Sequence, residues 1–226
     1  APGIAIDSSG NIYVSTLYED SQEIMGGSIE KIGPDGIVSA WGPSYGLFGD
    51  PSDTEILRVP LGIAVGSPGN VVYVTEMETD TRTGNADYYV HKFTSEGTEI
   101  TRWGPFGTGT FSGLDPLSLI GVQGAIALDS AGNVYVNSIT GSPSSPTGQV
   151  LVFYGDGEPV TQWDIVDQTG EGYLPMGIAI DSADTVFISG MQMSGTTPVS
   201  KVLKFNQNGN PVSDWEVGGL AERLNF

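Results

Sequence analysis

The sequence predicts an all-β protein, a β-propeller of four blades with four antiparallel strands each. One pattern occurs four times in the 226 residues: an apolar segment, a tight turn, a second apolar segment and, 37 to 40 residues after its first isoleucine, a tryptophan. Glycine (33 residues) and proline (14) are abundant, which suits short strands joined by turns. Such a repeat is typical of units that bury their faces against one another. The copies begin at Gly3, Gly62, Ala125 and Gly177, and end at Trp41, Trp103, Trp163 and Trp215.

Each copy of the pattern accounts for four strands. The first strand, Ile4-Ala5-Ile6 in the first copy, is short and continuously apolar, as expected of a strand buried on both faces. In the turn after it, the Asp7 carboxylate can accept backbone amides and Gly10 can adopt positive φ. Three further strands complete a meander. We predict one domain with negligible helix, and blades over about residues 1–59, 60–121, 122–174 and 175–226. The equivalent innermost strands contain Ile4, Ile63, Ile126 and Ile178.

The repeat resembles the NHL repeat over nearly the whole chain. The resemblance is carried by Gly-Ile-Ala-Ile-Asp-Ser-Ser-Gly-Asn-Ile-Tyr-Val from Gly3, by the Lys-Ile or Lys-Phe strand and by the x-Asp-Gly turn. It implies a propeller, in a family of binding and sensor domains with some lyases and lactonases. NHL-like propellers usually have six blades and often close by sharing strands within one blade. This chain has four copies and no spare strand, which leaves a closed four-bladed ring or a part of a larger propeller or tandem array.

Composition excludes several function classes. The chain has 27 acidic and 8 basic residues, a net charge of −19, and such a surface repels nucleic-acid phosphates. It has no cysteine, which excludes disulfides, thiolate catalysis and cysteine-based zinc sites. No apolar run is long enough to insert in a membrane. Few charged side chains with much Ser, Thr and Gly favour an extracellular or cell-surface protein of bacterial or archaeal type.

Acid–base chemistry has few candidates in this sequence. The single histidine, His91, aligns with Glu30 in the first copy and with Leu151 and Leu203 in the last two, so it is predicted to lie in a strand. One histidine cannot supply the metal site of the family's lyases, and a Ser-His-Asp triad lacks a nucleophile elbow. We assign no catalytic or cofactor-binding residue and predict a non-catalytic structural or interaction module. The alternative is a Ca²⁺-dependent lactonase-like or lyase-like enzyme, and glycoside hydrolysis by paired carboxylates also stays open.

Acidic loops in the first two copies are the candidates for calcium. Calcium takes six to eight oxygen ligands, but no EF-hand or RTX spacing is present, and a solvated acidic rim is the alternative. We expect no zinc and no cofactor other than this calcium. The turn aspartates Asp7, Asp129 and Asp181 are predicted to cap turns. The calcium candidates are Glu19, Asp20, Glu23, Glu76, Glu78, Asp80 and Asp87.

Two kinds of loop predict interaction or modification. Aromatic residues follow the two Trp-Gly-Pro sequences, where they could contact a glycan or another subunit, or fold back as local core. They are Tyr45, Phe48, Phe106 and Phe111. Loops rich in Ser, Thr and Pro have the composition of O-glycosylated segments, the alternative being an unmodified loop. The candidate acceptors are Ser142, Ser144, Ser145, Thr147, Thr196 and Thr197.

The copy boundaries predict the partner of the module. The chain begins on a first strand and ends after a fourth, so an open row of blades would present blade edges to a neighbour. We therefore expect self-association end to end, the other candidates being a different surface protein or a glycan. The four tryptophans are predicted to pack between blades and not to stack on sugars.

Overall fold

A computed structural model describes residues 3–19, 25–41, 56–67, 70–80, 82–106, 108–110, 124–142, 145–194 and 197–216. These residues form strands and turns without any helix. They build four antiparallel sheets, each with its strands in chain order, arranged as a four-bladed β-propeller. The predicted fold class is therefore confirmed.

The strand bounds are as follows. Blade 1 contains β1 (Gly3–Ile6), β2 (Ile12–Glu19), β3 (Met25–Ile32) and β4 (Val38–Trp41). Blade 2 contains β5 (Ile56–Gly66), β6 (Val71–Asp80), β7 (Asn85–Phe93), β8 (Glu99–Trp103) and β9 (Thr108–Thr110). Blade 3 contains β10 (Ile126–Leu128), β11 (Val134–Ser142), β12 (Ser145–Phe153) and β13 (Pro159–Asp164). Blade 4 contains β14 (Leu174–Ile180), β15 (Val186–Ser194), β16 (Thr197–Phe205) and β17 (Pro211–Glu216).

The registers confirm that the four isoleucines are equivalent. Each lies in the first strand of its blade, opposite an aliphatic residue of the second strand. The pairs are Ile4–Val14, Ile63–Val74, Ile126–Val136 and Ile178–Ile188. Strand β5 begins at Ile56 and β14 at Leu174, slightly before the blade starts predicted at 60 and 175.

The turn between the first two strands is held by its aspartate, as predicted. Asp7 accepts hydrogen bonds from the backbone amides of Ser9 (2.8 Å) and Asn11 (2.9 Å). Asp129 and Asp181 accept the amides two and four residues ahead in the same way. These carboxylates cap turns, and this is why the motif recurs.

The outer edge of blade 2 differs from the other blades. Strand β7 pairs with β8 along its second half and with β9 along its first half. Between them, the cis peptide Gly104–Pro105 is followed by a hydrogen bond from the Phe106 amide to the Tyr88 carbonyl (2.9 Å). Gly104 has φ +134, and a Cβ there would lie 2.8 Å from the Tyr88 oxygen, so only glycine fits. The strand β9 was not predicted.

The core lies between blades. Strand alternation gives each blade two faces. We call the side toward the next blade the tryptophan face; in blade 1 it carries Tyr13, Ser15, Ile29 and Trp41. We call the side toward the preceding blade the isoleucine face; in blade 2 it carries Ile63, Val65, Val72, Val74 and Phe93. A joint is the contact between the tryptophan face of one blade and the isoleucine face of the next. The described residues form three joints, between blades 1 and 2, 2 and 3, and 3 and 4.

Candidate functional site

The tryptophan of each joint covers the glycine turn of the next blade. Ideal Cβ atoms on Gly97, Gly157 and Gly209 would lie only 2.4 to 2.7 Å from the indole rings of Trp41, Trp103 and Trp163, in that order. Each glycine also has positive φ, between 77° and 97°. The rings pack on bare backbone, which confirms the predicted packing between blades for these three tryptophans. For Trp215 the prediction is wrong, because among the described residues no next blade covers its ring, which is half exposed.

Polar side chains add a second layer to the joints. Ser15 donates to the Leu61 carbonyl of the next blade (2.7 Å), and Thr75 donates to the Gly124 carbonyl at the equivalent place. Lysines cross at the outer turn as well. Lys31 reaches the Ser95 carbonyl (3.1 Å) and the Glu96 carboxylate (3.0 Å), and Lys92 reaches the Gly155 carbonyl (2.6 Å).

The two ends of the row of blades carry the same faces without this cover. Ile4 and Ile6, on the isoleucine face of blade 1, are 67% and 64% exposed, whereas Ile63 is 6% exposed. Trp215, on the tryptophan face of blade 4, is 49% exposed. Among the described residues, and apart from Gly36 and its chain neighbours, no heavy atom lies within 4 Å of the position that a Cβ would take on Gly36. Within the described ranges, therefore, no fourth joint links blade 4 back to blade 1.

A buried carboxylate–histidine group lies on blade 2. The His91 ring approaches Glu76 through Nε2 (3.2 Å) and Glu99 through Nδ1 (2.9 Å), and it stacks on Phe93 at 5.9 Å. His91 lies in β7, as predicted, and is 3% exposed, while Glu76 is fully buried. One imidazole thus lies between two carboxylates. Solvent reaches the Glu99 side chain, which is 40% exposed, but not Glu76 at the other end of the group.

Two of the other acidic residues of blade 2, Glu78 and Asp80, have protein partners. Glu78 accepts from Arg58 Nε (2.6 Å) and forms an ion pair with Arg102 (2.8 Å). Asp80 caps the turn of its hairpin, and hydrogen bonds, first that from the Thr83 amide, hold its pKa below the usual value. Asp87 lies opposite Glu78 in the strand register.

The contacts of these carboxylates do not test whether the acidic loops bind calcium. Among the residues that the structure describes, no three His, Asp or Glu side chains form a group that could hold a metal ion. The side chain of Glu19, and all of Asp20 and Glu23, lie outside the described residues. Calcium in these loops stays a prediction.

A polar cluster that the sequence analysis missed supports blade 4. The Lys201 ammonium lies 3.2 Å from Asp167 and 3.4 Å from Asp214. Burial by itself raises the pKa of Asp167, but hydrogen bonds from Thr169, Glu171 and Lys201 outweigh it and hold the pKa well below its usual range. The signal was present, because Asp167 begins another Asp-x-x-Gly turn ending at Gly170. This cluster anchors the chain segment that leads into β14.

An open groove of about 630 Å³ runs between the outer strands of blades 2 and 3. Its lining includes Trp103, Pro105, Phe106 and Val160. The Phe106 ring is half-buried, 6.1 Å from the ring of Tyr88, and packs on a cluster of five buried apolar residues of its own blade. For Phe106 the structure therefore favours the local-core alternative. The other aromatic candidates, Tyr45, Phe48 and Phe111, lie outside the described residues.

The candidate glycosylation residues border two hairpins. Thr147 is half-buried in β12 and pairs with Thr140. Ser142 and Ser145 pair at the tip of the same hairpin, and Thr197 begins β16, but their side chains are outside the described part. Ser144 and Thr196 lie wholly outside it. O-glycosylation stays a prediction.

Comparisons with known proteins find similarity in fold but not in sequence. No protein-family model and no curated protein matches the chain. A GH43 β-1,3-galactosidase aligns at TM-score 0.58 and 10% identity, over 96% of this chain and 45% of its own. An exo-β-1,3-galactanase from Clostridium thermocellum aligns at 0.57 and 12%, over 96% and 48%. An N-acetylgalactosamine deacetylase from F. plautii aligns at 0.50 and 8%, over 96% and 68%.

These structural similarities support the fold of the chain and nothing further. The chain spans about half the length of the galactosidase and of the galactanase. None of the three proteins is named as an NHL-repeat protein, so that resemblance stays a prediction. The described residues include no helix that is long and apolar enough to cross a membrane. At identities of 8 to 12%, the likenesses show that the chain has the β-propeller fold.

Proposed function

We propose that this chain is a non-catalytic, NHL-like β-propeller of an extracellular or cell-surface protein, acting as a structural or interaction module. One observation carries the proposal: the row of blades ends in two apolar faces, marked by Ile4 and Ile6 at one end and by Trp215 at the other, that are exposed to solvent. Apolar surface of this kind is typical of sites that bind other proteins.

The titratable groups support the non-catalytic part of the proposal. His91 and Glu76 are buried in the blade packing, and Glu78 is engaged by two arginines. Asp7, Asp80, Asp129, Asp167 and Asp181 each cap a turn. A general acid or base must be able to reach the substrate, and these groups instead hold the protein's own backbone and side chains.

The enzyme alternative has one point in its favour. The proteins of similar fold named above are a galactosidase, a galactanase and a deacetylase, all acting on sugars. At their identities the likeness extends to the fold alone, so an activity needs residues of this chain to carry it. Within the described residues, the carboxylates that such an activity would use are Glu78, near the end of β6, and the calcium candidates Asp80 and Asp87 beside it.

An activity screen tests the proposed function. The purified full chain is incubated with aryl glycosides, a lactone and acetylated sugars, each with Ca²⁺ and with EDTA. We expect no turnover above that of the buffer, and a change in Tm with Ca²⁺ of less than a few degrees. The matched variants are Glu78→Gln and, as a control, Glu158→Gln at an exposed turn. Turnover that Glu78→Gln abolishes and Glu158→Gln preserves would establish the enzyme instead.

A further inference from the structure

We propose that the tryptophan face of blade 4 in one copy binds the isoleucine face of blade 1 in a second copy and so forms a fourth joint, head to tail. The inference rests on the proposed interaction function and names its partner as the same chain. Its basis is that one exposed end is a tryptophan face and the other is an isoleucine face. These are the two faces that form each of the three joints within the molecule.

The isoleucine face of blade 1 has the chemistry of a joint surface. It presents Ile4, Ile6, Ile12, Val14 and Ile32, by strand alternation and register. The residues at the same places in blade 2 are Ile63, Val65, Val72, Val74 and Phe93, of which Val72, Val74 and Phe93 are fully buried. These two sets of five are equally apolar, and only the set in blade 2 is covered by another blade. Glu30, opposite Val14, has on this face the place that His91 has in blade 2.

The tryptophan face of blade 4 supplies the complementary half. Phe187 and Trp215 stack at 6.3 Å, where Tyr13 and Trp41 pack together in blade 1. Ser189 is exposed, although its equivalents Ser15, Thr75 and Asn137 are fully buried. The Trp215 ring is therefore free to pack on a glycine turn. The equivalent turn that no tryptophan covers among the described residues is at Gly36, which a second copy would supply.

Charged residues at the two exposed faces are also complementary. The Lys31–Glu96 ion pair spans the first joint at 3.0 Å. Lys204 has the position of Lys31 on the tryptophan face of blade 4, and Asp35 has the position of Glu96 in the turn of blade 1. A second copy docked by the geometry of the internal joints brings Lys204 to the Asp35 carboxylate and the Pro34 carbonyl. This local attraction opposes the general repulsion between copies that each carry −19.

The geometry favours a second copy over closure within one molecule. Both faces are exposed in the same chain, so they do not cover each other there. A contact between different faces is heterologous, and it continues into a filament unless its rotation closes a ring of copies.

The test uses blocked ends in the full chain. Ile4→Asp blocks one face and Trp215→Asp blocks the other, and Ile100→Asp is the control because Ile100 is 51% exposed on the outer strand of blade 2. Analytical ultracentrifugation at micromolar concentration and about 0.15 M salt is expected to show oligomers for the unmodified chain and the control. Each blocked variant is expected to be monomeric, and an equimolar mixture of the two is expected to form dimers, since each variant retains the face that is blocked in the other.

Engineered cysteines give a second readout, which captures the contact covalently even where it is short-lived. Because the chain has no cysteine, Asp35→Cys and Lys204→Cys introduce single thiols. A mixture of the two variants is expected to oxidise mainly to a mixed dimer, with far less of it when either partner also carries its blocking substitution.

Three results would overturn the proposal. A chain carrying both cysteines that forms its disulfide within one molecule would show intramolecular closure of the ring. A monomeric unmodified chain, or blocked variants that stay monomeric when mixed, would show that the ends serve another partner. Since none of these results creates turnover in the activity screen, loss of this inference leaves the non-catalytic function to be judged separately.

Discussion

Ile63 and Ile4 have the same place in neighbouring blades, and Gly97 and Gly36 have the same place in neighbouring turns. At the first joint, Ile63 is 6% exposed and the Trp41 ring lies against Gly97. At the end of the row, Ile4 is 67% exposed and Gly36 is open. The difference shows that the repeat gives every blade the same apolar face. Whether that face is buried depends on whether another blade packs against it. Burying one such isoleucine contributes about 2 to 3 kcal/mol, so a partner that covers an exposed end face gains free energy of binding.

The largest contrast is expected from alanine at the two isoleucines. Ile63→Ala should lower the free energy of unfolding by about 3 kcal/mol, because it leaves a cavity in a joint. Ile4→Ala should cost less than about 1 kcal/mol in the dilute monomer, since most of its side chain already contacts water. Urea unfolding followed by tryptophan fluorescence at submicromolar concentration measures both. Equal costs would mean that Ile4 is covered within one molecule.

Alanine at the two turn glycines sharpens the comparison. Gly97 (φ +82) and Gly36 (φ +78) have nearly the same backbone conformation, so the strain of a Cβ in this region, about 1 kcal/mol, is common to both. Only at Gly97 would the new Cβ meet an indole ring, 2.4 Å away. We expect Gly97→Ala to cost about 2 kcal/mol more than Gly36→Ala.

Thermal unfolding of the two glycine variants beside the unmodified chain measures that difference. The experiment is read at low concentration, where copies do not bind. At higher concentration Gly36→Ala should also weaken self-association. A Gly36→Ala chain as unstable as Gly97→Ala when dilute would contradict the account of the open end.

The sequence predicted the parts of the fold that repeat. The isoleucine strands follow from a local pattern that occurs in every copy, and the aspartate-capped turns from one that occurs in three, since Gly66 has the place of the aspartate in the second copy. The tryptophan also recurs in every copy, but it is packed only where a next blade follows, at Trp41, Trp103 and Trp163. The outer edge of blade 2 was not predicted, because it depends on the close approach of Gly104 to Tyr88 across strands.

The candidate site was less predictable, for a physical reason. Glu76 and Glu78 look alike in the sequence, yet one is buried against His91 and the other meets Arg58 and Arg102. These partners are remote in sequence, so only the register of the strands brings them together. The exposure of Ile4 was likewise invisible, because its pattern is that of its buried equivalents.

The turn aspartates give the smallest expected contrast and the only one that depends on pH. Asp7 is 6% exposed and accepts a hydrogen bond from the Tyr13 hydroxyl (3.1 Å), which the joint keeps buried. Burial alone raises the pKa of Asp7, but hydrogen bonds from Asn11, Ser9 and Tyr13 outweigh it and lower the pKa. In blade 4 the equivalent Asp181 is exposed, and the residue at the position of Tyr13 is Phe187, which has no hydroxyl.

Because the folded pKa of Asp7 lies below its unfolded value of about 3.9, its ionised form stabilises the fold above that pH. Asp7→Asn should therefore cost about 1 to 2 kcal/mol at pH 7, and the cost should disappear as the pH falls from about 4 toward the lowered native pKa. Asp181→Asn should show a smaller loss over the same range. Urea unfolding of each variant and the unmodified chain at pH 7, 5, 4 and 3 isolates the difference from general acid effects. A cost of Asp7→Asn that stays constant down to pH 3 would show that the charge of this carboxylate does not hold the turn.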